Sequence, residues 1–168
     1  AGAKYYYEGM RQKALEEVTI LKKFSDCPYI IRIIDYKIFE LPEGQEEYGW
    51  VIFVRMELLQ PLKQKVLQEK ISIEELSRLT IDLCSAIEVC HAKGIVHRDI
   101  KPENIFYSPV LKNYKLGDFG IACYLSRVTE EKGQPGTLTH MAPEVYCGMS
   151  FDYTSDLYAI GTILYKFL

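Results

Sequence analysis

A run of charged and polar residues lies between two short apolar segments near the middle of the chain. It reads GIVHRDIKPENIFY and covers residues 94–107. Between His97 and Asn104 it contains a histidine, an arginine, an aspartate, a lysine, a glutamate and an asparagine. A polar surface loop between two strands is one interpretation. The other is a catalytic loop, which needs a base, a cation that binds phosphate and a metal ligand close together.

Two further motifs favour the catalytic interpretation. Asp118-Phe119-Gly120 follows a short apolar strand in YKLGDFGIA, and Ala142-Pro143-Glu144 lies further along the chain. The motifs H-R-D-x-K-x-x-N, D-F-G and A-P-E, in this order and with a polar segment between the last two, are the signature set of protein kinases. The chain therefore resembles a eukaryotic-type protein kinase from about residue 10 to its last residue.

The resemblance assigns a catalytic role to residues of these loops. Phosphoryl transfer depends on positioning and on neutralisation of charge more than on covalent work by the protein. By the resemblance, Asp99 accepts the proton of the substrate hydroxyl, and Lys101 steadies the transferred phosphate. Asn104 and Asp118 are the expected magnesium ligands, since hard oxygen atoms suit that ion. Thr137 matches the threonine that contacts the catalytic aspartate and lysine in serine/threonine kinases, and a lysine two positions after Asp99 belongs to the same class.

The resemblance also implies an ATP site. The segment RMELL after the second strand resembles the hinge, with Met56 as gatekeeper and with the Glu57 carbonyl and the Leu59 amide facing the adenine edge. Glu17 matches the helix C glutamate that pairs with the phosphate-binding lysine, and Glu16 is the competing choice. For the RMELL segment the alternative is an ordinary apolar strand end. For whichever glutamate does not pair, the alternative is a solvated surface charge. The expected cofactors are ATP and Mg²⁺. Contacts with these cofactors are also expected from Lys101, Asn104 and Asp118.

Supporting residues have structural alternatives. His97 matches the histidine that packs under the D-F-G phenylalanine, which is a structural role. Arg98 resembles the arginine that receives an activation-loop phosphate, or it forms a surface salt bridge. Thr129 or Ser126 would carry that phosphate, although solvated hydroxyls are common in loops. Asp156 resembles the helix aspartate that holds the catalytic-loop backbone; a negative charge favoured by the helix dipole at the N-terminus is the alternative, and the two are compatible.

The sequence also departs from the kinase pattern. It contains no G-x-G-x-x-G and no V-A-I-K, and Lys4 is the only upstream lysine that even loosely fits the ATP lysine. The chain finishes inside the helix that contains Asp156. We therefore expect the middle part of a kinase, truncated at both ends, with little activity of its own and marginal stability. A pseudokinase-like scaffold and a truncated reading frame are the alternatives, and the intact Asp99, Asn104 and Asp118 argue against the scaffold.

The elements that position these loops follow from hydrophobic periodicity. Residues 10–25 have apolar positions at helical spacing, which predicts an amphipathic helix. Residues 29–39 and 50–58 are rich in β-branched and aromatic residues, which predicts two strands that pair as an antiparallel hairpin across an acidic loop. The nearly continuous apolar run of the second strand predicts burial on both of its faces.

The clearest helix follows Ser72. This residue can cap the amide of Glu75, and the Glu75 side chain can reach back to the amide of Ser72. Gly94 is expected to end the helix. One face is predicted to be core, and it comprises Leu76, Leu79, Leu83, Ile87 and Cys90.

These elements and the resemblance together predict an α+β, protein kinase-like two-lobe fold that is incomplete. Residues 1–59 would form a partial small β-rich N-lobe with helix C. Residues 60–168 would form a partial, mainly helical C-lobe that ends in the helix after the A-P-E motif. The change in character falls near Gln60-Pro61, where we expect the hinge between the lobes.

The amino-acid composition further limits which class of protein this chain can belong to. The chain has 168 residues, of which 48% are hydrophobic, so one domain with a sizeable core is expected. The net charge of -3 gives no reason to expect nucleic acid binding. The five cysteines lack metal-binding spacing and predict reduced thiols in a cytoplasmic protein. No segment reaches the roughly 18 apolar residues of a membrane span. The expected partner is a protein substrate with a serine or threonine hydroxyl.

Overall fold

The computed structural model describes residues 2–40, 49–126 and 137–168, with the side chains of the first helix described from Glu8 onwards. The helices are α1 Gly2–Lys22, α2 Leu62–Gln68, α3 Ile73–Ala92, α4 Pro143–Tyr146 and α5 Tyr153–Phe167. The strands are β1 Ile33–Glu40, β2 Trp50–Met56, β3 Gln60–Pro61, β4 Ile95–Val96, β5 Ile105–Ser108, β6 Asn113–Leu116 and β7 Cys123–Tyr124. Small sheets and helices thus form an α+β structure, which is the predicted class.

Helix α1 is longer at its start than the periodicity predicts. It begins at Gly2 rather than near residue 10, and a turn after Lys22 carries the chain to β1. Val18, Leu21 and Phe24 are only 4%, 3% and 1% exposed. The predicted apolar face is therefore confirmed at these three positions, which pack into the main core, whereas Met10 at its start is 47% exposed.

Strands β1 and β2 form the predicted antiparallel hairpin, in which Tyr36 pairs with Val54. The prediction that β2 is buried on both faces is wrong. Ile52 and Val54 pack against the core, whereas Val51 and Phe53 remain 43% and 60% exposed. Within the described residues, β2 pairs with β1 alone and only one face of the hairpin meets the core. An apolar run indicates what a strand could bury, but it does not supply a second layer to cover it.

Helix α3 begins at its predicted cap. The Ser72 hydroxyl accepts a hydrogen bond from the Glu75 amide at 3.2 Å. The Glu75 carboxylate does not return to Ser72 but binds Lys65 at 2.9 Å and the Tyr114 hydroxyl at 3.0 Å. Gly94 has a φ of +70°, the left-handed conformation that favours glycine after a helix. The predicted core face is buried throughout, at Leu76, Leu79, Leu83, Ile87 and Cys90.

A three-stranded sheet and two helices place the functional loops. The strand order is β3-β5-β6, and the antiparallel β5–β6 pair brings Ile105 opposite Leu116. The H-R-D loop lies between β4 and β5, the D-F-G motif follows β6, and β4 pairs with β7 beyond it. Because Ile105 and Leu116 are fully buried in one core with Ile163 of α5, the two loops extend from the same packed core.

Helix α5 begins with a capping box. The Asp152 carboxylate accepts from the Thr154 amide at 2.7 Å, and the Ser155 hydroxyl accepts from the Asp152 amide. This cap fixes the first turn of α5, in which Asp156 lies. No helix in the described part of the chain has both the length and the apolar character needed to cross a membrane.

Candidate active site

A buried carboxylate on α5 holds the backbone of the H-R-D loop. Asp156 is 0% exposed, and its Oδ2 and Oδ1 accept from the amides of His97 and Arg98, each at 3.0 Å. The Nε2 atom of His91 lies 2.9 Å from the same Oδ2. Arg98 has a φ of +69°, which is unfavourable for a side chain with Cβ. The predicted contact between Asp156 and the loop is confirmed, and it stabilises this unfavourable backbone conformation.

The four residues predicted as catalytic lie in one hydrogen-bonded cluster. Thr137 Oγ1 donates to Asp99 Oδ1 at 2.7 Å, and Lys101 Nζ donates to Asp99 Oδ2 at 2.5 Å. Lys101 Nζ also donates to Thr137 Oγ1 at 3.1 Å. Asn104 Nδ2 donates to the Asp99 carbonyl at 2.8 Å and to its Oδ2 at 3.1 Å. The Asp99 carboxylate therefore has a fixed orientation, supported from three sides.

These contacts set the charge of Asp99. Partial burial on its own raises the pKa of the carboxyl group, because desolvation disfavours the charged form. The hydrogen bonds from Lys101, Thr137 and Asn104 outweigh burial and hold the pKa of Asp99 below its usual value. The carboxylate is thus ionised at neutral pH and can accept a hydrogen bond from a hydroxyl group.

The D-F-G motif lies against the same loop. His97 is fully buried, with its Nε2 3.1 Å from the Gly117 carbonyl and its ring edge-on to Phe119 at a centroid distance of 4.6 Å. Burial lowers the pKa of His97, so the ring is neutral and its predicted structural role is confirmed. The Gly117 amide donates to the Asn104 carbonyl at 2.8 Å. This backbone contact brings the start of the D-F-G motif next to Asn104, and Asp118, which directly follows Gly117, is exposed to solvent.

Glu17 of α1 faces the D-F-G motif. Burial raises the pKa of its carboxyl group, and the negative charge of Asp118 raises it further, whereas a hydrogen bond from the Phe119 amide lowers it. Of the two glutamates considered, Glu17 is therefore the one brought beside Asp118. Lys4 lies in α1 rather than on a strand, and its side chain is outside the described residues.

The predicted hinge follows β2 and contains one contact that sequence reasoning missed. Met56 is 45% exposed, and Leu59 packs against the main core. The Glu57 side chain turns towards Lys115 of β6, whose Nζ lies 2.8 Å from Oε1 and 3.0 Å from Oε2. Lys115 is 3% exposed. A lysine inside β6, between Tyr114 and Leu116, was the only available signal, and it does not identify the partner.

The predicted phosphate-binding arginine is close to the D-F-G segment. Arg98 is 6% exposed, and its Nε donates to the Ile121 carbonyl at 2.6 Å. Ser126 is exposed, and Thr129 lies outside the described residues. The choice between these two hydroxyls stays a prediction.

This geometry agrees with the comparisons with known proteins. The sequence matches the protein kinase domain over residues 3–168, which is nearly its whole length. The chain therefore belongs to the protein kinase family.

Individual kinases align with the chain along most of its length. It is 35% identical over 165 residues to the carbon catabolite-derepressing protein kinase of Secale cereale, covering 95% of this chain and 31% of the rye protein. It is 34% identical over 173 residues to the cell cycle serine/threonine-protein kinase CDC5/MSD2 of Saccharomyces cerevisiae, covering 96% and 22%. It is 27% identical over 164 residues to cyclin-dependent kinase B2-1 of Arabidopsis thaliana, covering 93% and 51%. The chain thus spans between about a fifth and half of these relatives.

Proposed function

We propose that this chain is part of the catalytic domain of a serine/threonine protein kinase, which transfers the γ-phosphoryl group of ATP to a protein hydroxyl. The observation that carries the proposal is the ionised Asp99 carboxylate, oriented by Lys101, Thr137 and Asn104. A carboxylate held in this way can orient the attacking hydroxyl and take up its proton. The names of the serine/threonine kinases among the relatives support the same reaction class.

Lys101 and Thr137 would complete the acceptor side of the site. Lys101 Nζ already contacts both Asp99 and Thr137, so its positive charge lies where a transferred phosphoryl group would approach the base. Such a charge stabilises the oxygens of a phosphoryl group in the transition state. Thr137 fixes the second oxygen of Asp99 and supports the assignment of serine/threonine specificity.

Asn104 and Asp118 would hold the magnesium ions. Asn104 turns its Nδ2 towards Asp99, so that its amide oxygen is the atom left for a cation. Asp118 offers an exposed carboxylate from the adjacent loop, and magnesium prefers oxygen ligands of this type. Magnesium bound there would neutralise the negative charge of the ATP phosphates.

The other end of ATP would contact the segment after β2. The Glu57 carbonyl and the Leu59 amide would meet the adenine edge, with Met56 behind it. Glu17 would pair with the lysine that binds the phosphates, and its raised pKa indicates a site where a cation would be favourable. We place the lobe boundary between residues 59 and 60, and the five free thiols favour a cytoplasmic protein.

The test is phosphate transfer from radiolabelled ATP to a generic basic protein, measured for this chain and for a longer form of it. Asp99→Asn removes the negative charge and keeps the shape of the side chain. Asp26→Asn, which changes an exposed aspartate in the turn after α1, is the matched control. We expect Asp99→Asn to lose transfer while it still unfolds cooperatively, with a melting temperature lowered by the loss of the ionised carboxylate's contacts. Equal transfer rates for Asp99→Asn and the unaltered protein in the longer form would contradict the proposal.

A scaffold without catalysis is distinguished by a second measurement. A magnesium-dependent rise in melting temperature on addition of ATP indicates nucleotide binding. Binding without any phosphate transfer in the longer form would favour the scaffold over the kinase.

A further inference from the structure

Lys115 and Glu57 form a buried ion pair between β6 and the segment after β2. The side chains are only 4% and 17% exposed, and the lysine contacts both carboxylate oxygens. A lysine is rarely buried unless its charge is paired, and desolvation can offset the attraction within the pair. The pair is therefore a geometric constraint more than a source of stability.

The same carboxylate connects a third segment. Glu57 Oε1 accepts from the Arg32 amide at 2.7 Å, and the Glu57 amide donates to the Arg32 carbonyl at 3.2 Å. One residue away, the Ile31 amide donates to the carbonyl of Leu116 at 2.9 Å. Hydrogen bonds and peptide bonds thus form a closed ring that includes the buried Lys115 cation. The ring comprises residues 31–32, 57 and 115–116.

The ring joins the two ends of the proposed ATP site. Lys115 stands three residues before Asp118 on β6, and Glu57 belongs to the segment expected to meet adenine. We propose that Lys115 is a positioning residue, which holds this segment at a fixed distance from Asp118 so that adenine and the magnesium-bound phosphates bind together. This inference rests on the proposed function and assigns a new role within the same site.

A fixed spacing has a specific effect on affinity. A ligand that contacts both ends benefits because its second contact forms without a further loss of freedom. Adenosine contacts only the adenine end, so the spacing to Asp118 does not affect its binding. A lysine that merely stabilises the fold would affect the binding of adenosine and of ATP alike.

The experiment compares the dissociation constants of adenosine and of ATP with magnesium, by isothermal titration calorimetry. Lys115→Met removes the charge and keeps most of the side-chain volume. We expect the ratio of ATP affinity to adenosine affinity to fall by roughly tenfold or more, because misplacement of one contact is costly. Lys115→Arg should retain most of the ratio. Lys112→Met changes an exposed lysine in the preceding turn and should leave the ratio unchanged.

Glu57→Gln provides a second route to the same result. It keeps the shape and the hydrogen-bonding capacity of the side chain, so it carries the test if Lys115→Met does not fold. We expect the same loss of the ratio, and the double variant should lose no more than either single one, because both disrupt one ion pair.

The outcomes separate this inference from the proposed function. The positioning role is overturned if the affinity ratio is unchanged in folded Lys115→Met or Glu57→Gln, or if both ligands lose affinity equally. In that case, ATP binding by the unaltered chain still supports the kinase assignment. Absence of ATP binding by the unaltered chain contradicts the ATP site itself and overturns both.

Discussion

Removal of the Asp156 carboxylate should cost more stability than an ordinary surface change. Asp156→Ala leaves the amides of His97 and Arg98 buried without their acceptor. Each unsatisfied buried donor costs about 1–3 kcal/mol, so the two together amount to roughly 4 kcal/mol. That loss is a large part of the stability of a typical small domain.

Urea denaturation followed by circular dichroism measures this loss. Asp156→Asn keeps one side-chain oxygen as an acceptor, so its free energy of unfolding should fall by about half as much. Asp26→Asn, on the exposed turn after α1, should stay within about 0.5 kcal/mol of the unaltered protein.

Hydrogen exchange distinguishes local loss of the loop anchor from general weakening. The amides of His97 and Arg98 should exchange faster in Asp156→Ala by a larger factor than the amide of Leu83, which lies in the core of α3. A loss below about 1 kcal/mol in Asp156→Ala, or equal acceleration at all three amides, would refute the reasoning that this carboxylate holds the loop.

Three further changes test other parts of the structure. Thr137→Ala removes a hydrogen bond that lowers the pKa of Asp99, so that pKa should rise. The stability from Asp99 is present above its unfolded pKa and is lost as pH falls through the lower folded pKa. In Thr137→Ala this loss of stability should begin at a higher pH. NMR titration of Asp99, together with acid denaturation, measures the change, and an unchanged Asp99 pKa would contradict the prediction. Ser72→Ala should cost about 1 kcal/mol in urea unfolding, because the Glu75 amide loses its cap, and no loss would exclude a role for the cap. Phe53→Lys should reduce aggregation in light scattering, because this side chain is 60% exposed, and unchanged scattering would show that this face is not responsible.

Local patterns predicted the parts of the site that are close in sequence. The sequence placed the carboxylate of Asp99, the cation of Lys101 and the amide of Asn104 on a single loop. The core face of α3 and the cap at Ser72 follow from periodicity and side-chain type alone. The contact of Thr137 with Asp99 joins residues 38 positions apart, and only the family resemblance predicted it.

Long-range partners account for what the patterns missed. Glu75 was expected to bind the amide of Ser72, but Lys65 and Tyr114 reach its carboxylate from other elements. The nearly continuous apolar run of β2 indicated that both of its faces are apolar, but it did not show that only one of them is covered. Lys115 and Glu57 are 58 residues apart, and no local spacing relates them.

The position of Trp50 makes this protein suited to a two-probe unfolding experiment. It is the only tryptophan of the sequence, and it lies in β2 of the hairpin. Its fluorescence therefore reports on the hairpin, whereas far-ultraviolet circular dichroism is dominated by helices such as α3 and α5. If the two signals change at the same urea concentration, the hairpin and the helical core unfold as one cooperative unit, and separate midpoints would identify two.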